Sequence, residues 1–322
     1  MTLLELQSRI KSHLAAGYPG LYIQSSEEAR VDAMLQIVAT QLKLSPKEWN
    51  LGYGWVDFAN KQPRGNQDMD TRLATCLPSL LDDDLTGKLI VIKDARCALE
   101  NEPLAVARLR QLLSRIQRHH RRNAAVVLVS ETLYIPPQIE AQVVLLQLPL
   151  PRGDEITALI EGICQHLDLH VPQTLRQRLH AVCSGLSQEE IWLALSMVRQ
   201  HHEQINEAAL ALIQHEKEQL ITKSGVLEMV KISESAAEIG GLENLKHWLH
   251  KRAQIFQRLE DARQARVPAP KGVLIAGMPG CGKSLTAKAA AGLFQLPLLR
   301  LDIGSLLGKY VGESEQIGRA HV

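Results

Sequence analysis

Residues 272–284 constrain the possible folds of this chain most. They read Gly272-Val-Leu-Ile-Ala-Gly277-Met278-Pro279-Gly280-Cys281-Gly282-Lys283-Ser284, with Leu285 continuing into an alanine-rich helical pattern to 294. The apolar run 273–276 is long enough for a strand buried on both faces. A strand, a G-x-x-x-x-G-K-S turn and a helix, in that order, are the context a phosphate-binding loop needs. Glycines let backbone N–H groups close around a polyphosphate without a Cβ in the way, and the helix N-terminus adds partial positive charge. In that reading Lys283 reaches the β- and γ-phosphates and the Ser284 hydroxyl is a ligand of Mg²⁺.

The remainder must accommodate that loop. A length of 322 residues fits two domains, and a net charge of +1 gives no global pull toward nucleic acid, membrane or acidic partners. The cysteines at 76, 97, 164, 183 and 281 lack C-x-x-C spacing, so they read as reduced thiols of a cytosolic protein rather than a disulfide framework or zinc site. No apolar run approaches the length of a membrane span, and the N-terminus carries no signal-peptide core.

Apolar spacing predicts an opening helix to about Gly17, a strand at 20–24 and a helix at 29–42. Ser25-Ser26-Glu27-Glu28 has the Ser-x-x-Glu form of a capping box. The turn stands where a phosphate loop would stand but has neither glycine nor lysine, so it is expected to cap a helix and hold no phosphate. Further strands are expected at 53–58, 88–92, 124–129 and 143–148, with helices at 69–77 (stopped by Pro78) and 103–122. Asp82-Asp83-Asp84 reads as a solvated turn. The basic end of the 103–122 helix reads as complementing its dipole. Asp94 ends an apolar strand as a Walker B aspartate does, yet Ala95 stands where the catalytic glutamate belongs. The expectation is therefore an open parallel sheet with helices on both faces, then helices alone at 152–167, 172–182, 187–202 and 206–220. Residues 221–238 read as a linker before helices at 243–252 and on to about 265, with a strand after the loop at 296–301.

Residues 236–316 resemble the start of an AAA ATPase domain. Ile239-Gly240-Gly241-Leu242 matches the segment that family places against adenine. Pro270-Lys271-Gly272 with the glycine-rich loop matches its entry strand and Walker A motif. Lys309-Tyr310-Val311-Gly312 matches the first pore loop, whose aromatic and aliphatic side chains grip polypeptide in a hexamer's channel. The first 220 residues resemble, more weakly, an AAA module that has lost its nucleotide chemistry. This pairing is similar to the hypothetical chloroplast open-reading-frame AAA proteins of plastids, cyanobacteria and other bacteria.

The resemblance implies an α/β, P-loop NTPase-like fold divided as follows. A degenerate α/β subdomain spans 1–151, a helical lid-like subdomain 152–220, a linker 221–238 and the N-terminal part of an AAA ATPase domain 239–316. It also implies ATP and Mg²⁺ as cofactors, Lys283 as the catalytic lysine, a homo-hexamer in the cytosol (or plastid stroma, if plastid-encoded) and ATP-driven remodelling of a protein substrate. No Walker B strand, sensor, arginine finger or second lid follows Glu315, and 317–322 reads as a translated sequencing adapter, so the chain is expected to be a clipped reading that hydrolyses no ATP. Two alternatives stand beside a translocase. One is a nucleotide-dependent binding module or switch; the other, a nucleic-acid ATPase, has least support because the charge is near neutral and no stacking platform is present.

Overall fold

Strands 20–24, 88–92 and 125–130 contain runs of Leu, Ile and Val with no charged residue inside them, the composition of strands covered on both faces. A computed structural model of the chain describes residues 2–63, 71–118, 123–223, 227–230, 241, 243–257, 272–294 and 298–301. The chain divides into two units, residues 1–210 and 211–322.

Unit 1 is built on a six-stranded sheet of β1 (Gly20–Gln24), β2 (Ser45–Asn50), β3 (Gly54–Asp57), β4 (Lys88–Ile92), β5 (Ala125–Ser130) and β6 (Val143–Gln147). Their order is β3-β2-β4-β5-β1-β6. The β1–β5, β1–β6, β2–β4 and β4–β5 pairs are parallel, and β3 returns antiparallel to β2. The chain leaves β1 toward β2 on one side and reaches β6 on the other. The C-terminal end of β1 is therefore the switch point where open α/β sheets bind ligands.

Period-two alternation separates two cores. Tyr22, Ile90, Ile92, Val126 and Leu128 face one, which is filled by α3 (Leu73–Cys76), α4 (Pro78–Asp82), α5 (Ala95–Leu99) and α6 (Pro103–Arg118). Leu21, Ile23, Leu89, Val91, Val127 and Val129 face the other, which is filled by α1 (Leu3–Ala15) and α2 (Glu28–Leu42). From residue 154 onward unit 1 is helical: α7 (Asp154–His166), α8 (Arg176–Cys183), α9 (Gln188–His201) and the start of α10 (Glu207–Lys223).

The parallel sheet and its helical layers follow the sequence expectation, with local corrections. β2 was not anticipated, because Pro46, Lys47 and Glu48 break an apolar pattern. Its register beside β4 nonetheless buries Glu48 and Trp49. Pro78 does not end a helix that continues from 69; it opens α4 at a position where its missing N–H costs nothing. Residues 64–70, which include the expected start of that helix, and 119–122 lie outside the described residues. The expected capping box at Ser25–Glu28 does not form. The N-cap of α2 is Glu27 with no side-chain cap, because the Ser25 N–H already donates to Ser130 O (3.0 Å) while Ser25 Oγ accepts from Glu27 N–H (2.9 Å). The aspartate turn is ordinary: Asp83 pairs with Lys88 (3.1 Å) and Asp84 accepts from Thr86. At the basic end of α6, Arg115 donates to the carbonyls of Leu80, Leu81 and Asp83.

In unit 2, β7 (Leu227–Val230) pairs antiparallel with β8 (Leu298–Leu301). β7 falls inside the stretch read as a linker. Besides the remainder of α10, unit 2 has two described helices, α11 (Glu243–Gln257) and α12 (Lys283–Phe294). The strand expected at 273–276 is absent: no described strand pairs with it, and Val273 and Leu274 are 48% and 94% exposed. An apolar run forms a buried strand only when neighbouring strands satisfy its N–H and C=O groups and helices cover its faces.

Candidate phosphate-binding site

The glycine-rich loop of unit 2 is shaped by its small residues. Gly280 and Gly282 have φ of +81° and +87°, the left-handed region that glycine enters without steric cost. At Gly277 a Cβ would lie 2.6 Å from Cys281 Sγ, so a side chain there requires the cysteine to move. Cys281 N–H donates to Met278 O (3.3 Å) across the bend formed by Pro279 and Gly280. Thr286 fastens the first turn of α12 by donating through its N–H (2.9 Å) and hydroxyl (3.0 Å) to Gly282 O.

Lys283 is the first residue of α12, and its ammonium folds back to donate to Gly277 O (2.9 Å) and Met278 O (2.7 Å). Ser284 and Leu285 follow on the same turn, with Ser284 exposed, and that turn holds no acidic residue to oppose an anion. Backbone donors free of Cβ atoms, an unopposed helix N-terminus and a nearby ammonium suit a polyphosphate. Ser284 offers one exposed hydroxyl beside the loop. Among the described residues no group of three or more His, Cys, Asp or Glu side chains could hold a metal. Of the segment expected to face adenine, Gly241 is described, with φ +69°. Ile239, Gly240 and the residues expected to form a pore loop, Lys309, Tyr310, Val311 and Gly312, lie outside the described residues, as does the tail 317–322.

Unit 1 offers a strand–turn–helix of its own, from β1 into α2, with the opposite charge at the head of its helix. Only Ser25, Ser26 and Glu27 separate β1 from α2, whereas residues 277–282 precede α12, so this turn is too short to encircle a phosphate. Where Lys283 heads α12, Glu28 heads α2. Asp94, the expected Walker B relic, points away: it takes φ +51°, and its carboxylate accepts from Leu51 N–H (3.1 Å). Lys93 is the residue on the α2 face of the sheet. Its buried ammonium lies 2.8 Å from Glu28 Oε2, 2.9 Å from Asp32 Oδ2 and 3.8 Å from Glu48 Oε2. Burial alone would lower the Lys93 pKa, but hydrogen bonds to Glu28 and Asp32 and the charges of Asp32 and Glu48 outweigh it, and the pKa is raised. Lys61 pairs with Asp32 (2.8 Å) and Glu48 from the other side. Sequence reading passed over Lys93 because one lysine after an apolar strand looks like a solvated end; its parity with Leu89 and Val91 was the available signal.

Three family descriptions match the chain in succession. Residues 6–148 match the N-terminal domain of SpoVK-like AAA ATPases, 154–224 their second domain, and 273–320 the ATPase family associated with various cellular activities (AAA). The chain belongs to the AAA family. This AAA chain is 33% identical over 309 residues to the AAA domain-containing protein ycf46 of Trieres chinensis, an alignment covering 94% of the chain and 59% of the relative. It is 31% identical over 303 residues to ycf46 of Guillardia theta, covering 94% and 58%. The AAA chain thus spans less than two thirds of the length of these relatives. Among solved structures, Rhizobiales Trip13 superposes with a TM-score of 0.45 at 12% identity over 65% of this chain and 87% of that one, too distant to bear on the site. Among the described residues no helix is long and apolar enough to cross a membrane.

Proposed function

We propose that the loop at residues 277–285 binds the polyphosphate of ATP with Mg²⁺, and that this chain is the nucleotide-binding part of an AAA machine that remodels a protein substrate. The observation that carries the reading is Lys283 at the head of α12, its ammonium resting on the carbonyls of Gly277 and Met278. From there a side-chain rotation presents it to a β- or γ-phosphate. The N–H groups of residues 280–284 cradle phosphate oxygens, and Ser284 supplies a hydroxyl to the magnesium ion. Bound Mg²⁺ neutralises phosphate charge and orients it for transfer.

In the same reading, Ile239, Gly240 and Gly241 line the adenine, and Tyr310 and Val311, between Lys309 and Gly312, grip polypeptide in a hexameric ring in the cytosol or plastid stroma. Residues 1–151 and 152–220 form a nucleotide-free α/β subdomain with its helical partner, 221–238 link them onward, and 239–316 begin the ATPase domain.

A fluorescent ATP analogue titrated into wild type and Lys283→Ala, matched by circular dichroism, tests the binding. The proposal expects saturable binding in the first and none in the second; equal binding overturns it.

A further inference from the structure

Among the described residues, neither hydrophobic core of the unit 1 sheet takes a side chain from residue 152 onward. The helices α7, α8 and α9 make their own small core, with Ile156, Ile160, Leu179, Ile191 and Leu195 buried. Polar, buried groups at the switch point tie that helical part to the sheet. Glu27 and Arg30 are 4% and 6% exposed. Arg30 donates to Glu27 Oε2 (3.1 Å), to Pro149 O (2.6 Å) and to the Glu155 carboxylate on α7. The other Glu27 oxygen accepts from the backbone N–H of Gln188 (2.6 Å), the first residue of α9.

One carboxylate is thus the anion at the N-terminus of α9, and one guanidinium carries the link to α7. Between β6 and α7 the chain runs through Pro149, Pro151 and Gly153. Gly153 has φ +54° and no atom within 4 Å of where a Cβ would stand, so this segment can absorb a change of angle.

We infer that Glu27 and Arg30 form an internal lock. At the end of β1, where a phosphate loop holds a ligand, the chain's own carboxylate bridges the sheet to α9, and the helical part is fixed in one orientation with no nucleotide. The lock does not depend on what the loop of unit 2 binds.

The test is a distance measurement on the full chain with exposed Cys97 and Cys281 replaced by Ser and spin labels at Gln36→Cys on α2 and Gln200→Cys on α9. Without nucleotide, wild type gives a single narrow distance distribution, and ATP with Mg²⁺ leaves it unchanged. Glu27→Ala broadens it by roughly twofold or more while the sheet still melts cooperatively. A folded Glu27→Ala variant with the wild-type width, or a wild-type distribution that narrows on adding ATP, overturns the lock. Should Glu27→Ala fail to fold, Glu155→Gln decides. Its side chain is 30% exposed, and it leaves Arg30 paired with Glu27. A broadened distribution supports the lock and an unchanged one overturns it.

Discussion

Lys93 Nζ and Glu28 Oε2 lie 2.8 Å apart across the face of the sheet that α2 covers. Glu28 begins the helix after β1, and Lys93 is the first residue after β4. A phosphate-binding loop puts a lysine at the first of these positions, as Lys283 does in unit 2, and an acidic residue near the second. Here the signs are exchanged, and an internal ion pair joins the two elements with no ligand between them.

That pair predicts an alkaline limit to stability. The Lys93 pKa is raised in the folded chain, so its contribution is complete below the unfolded lysine value of about 10.4 and is lost as pH climbs through the folded value. Lys93→Met should destabilise unit 1 by about 3 kcal/mol at neutral pH, since it takes from the buried Glu48 one of the two ammonium groups that pair with it among the described residues. The melting-temperature gap between wild type and Lys93→Met should stay constant from about pH 7 to 9.5 and shrink above about pH 10.5. A gap that shrinks between pH 7 and 9.5, or stays fixed to pH 12, contradicts this.

The close approach of Gly277 and Cys281 predicts a rescue. Gly277→Ala drives a Cβ to 2.6 Å from Cys281 Sγ and should weaken ATP-analogue binding by at least roughly tenfold, the cost of distorting a preorganised site. Adding Cys281→Ala removes the sulfur and leaves the nearest Cys281 atom, its Cβ, at 4.0 Å. Most of the affinity should return. If the double variant binds no better than the single one, the sulfur contact is not what excludes a side chain there.

Thiol chemistry should sort the cysteines by burial. Burial pushes the Cys164 thiol up to about 11, and Cys183 is buried as well, while Cys97 and Cys281 are exposed. At pH 8, with mass spectrometry locating the modified residues, iodoacetamide should label Cys97 and Cys281 in the native chain, and Cys164 and Cys183 only after denaturation. Native labelling of Cys164 ahead of Cys97 would show that α7 is not packed as described.

The sequence made the sheet of unit 1 legible where strands were pure apolar runs, as at Leu21–Ile23 and Val126–Val129, because burial on both faces leaves no other composition. It hid β2, whose Pro46 and Glu48 owe their place to register beside β4 and to ions supplied by distant residues. The glycine-rich loop was legible because its glycines answer to local backbone geometry. The run at 273–276 was read as a strand from its own composition, but pairing belongs to neighbours, and no described strand supplies it. Glu27, Arg30 and Glu155 were out of reach for the same reason: ion pairs across 125 positions leave no periodic trace.

The central claim is that nucleotide binds at the loop headed by Lys283 and not at the turn headed by Glu28. Photolabelling the 322-residue chain with an azido-ATP analogue and Mg²⁺, then mapping the label by mass spectrometry, tests it most directly. The account predicts label in peptides spanning residues 272–294, competed by ATP and absent from Lys283→Ala. ATP-competed label in peptides spanning residues 20–42, or undiminished label in Lys283→Ala, would contradict it.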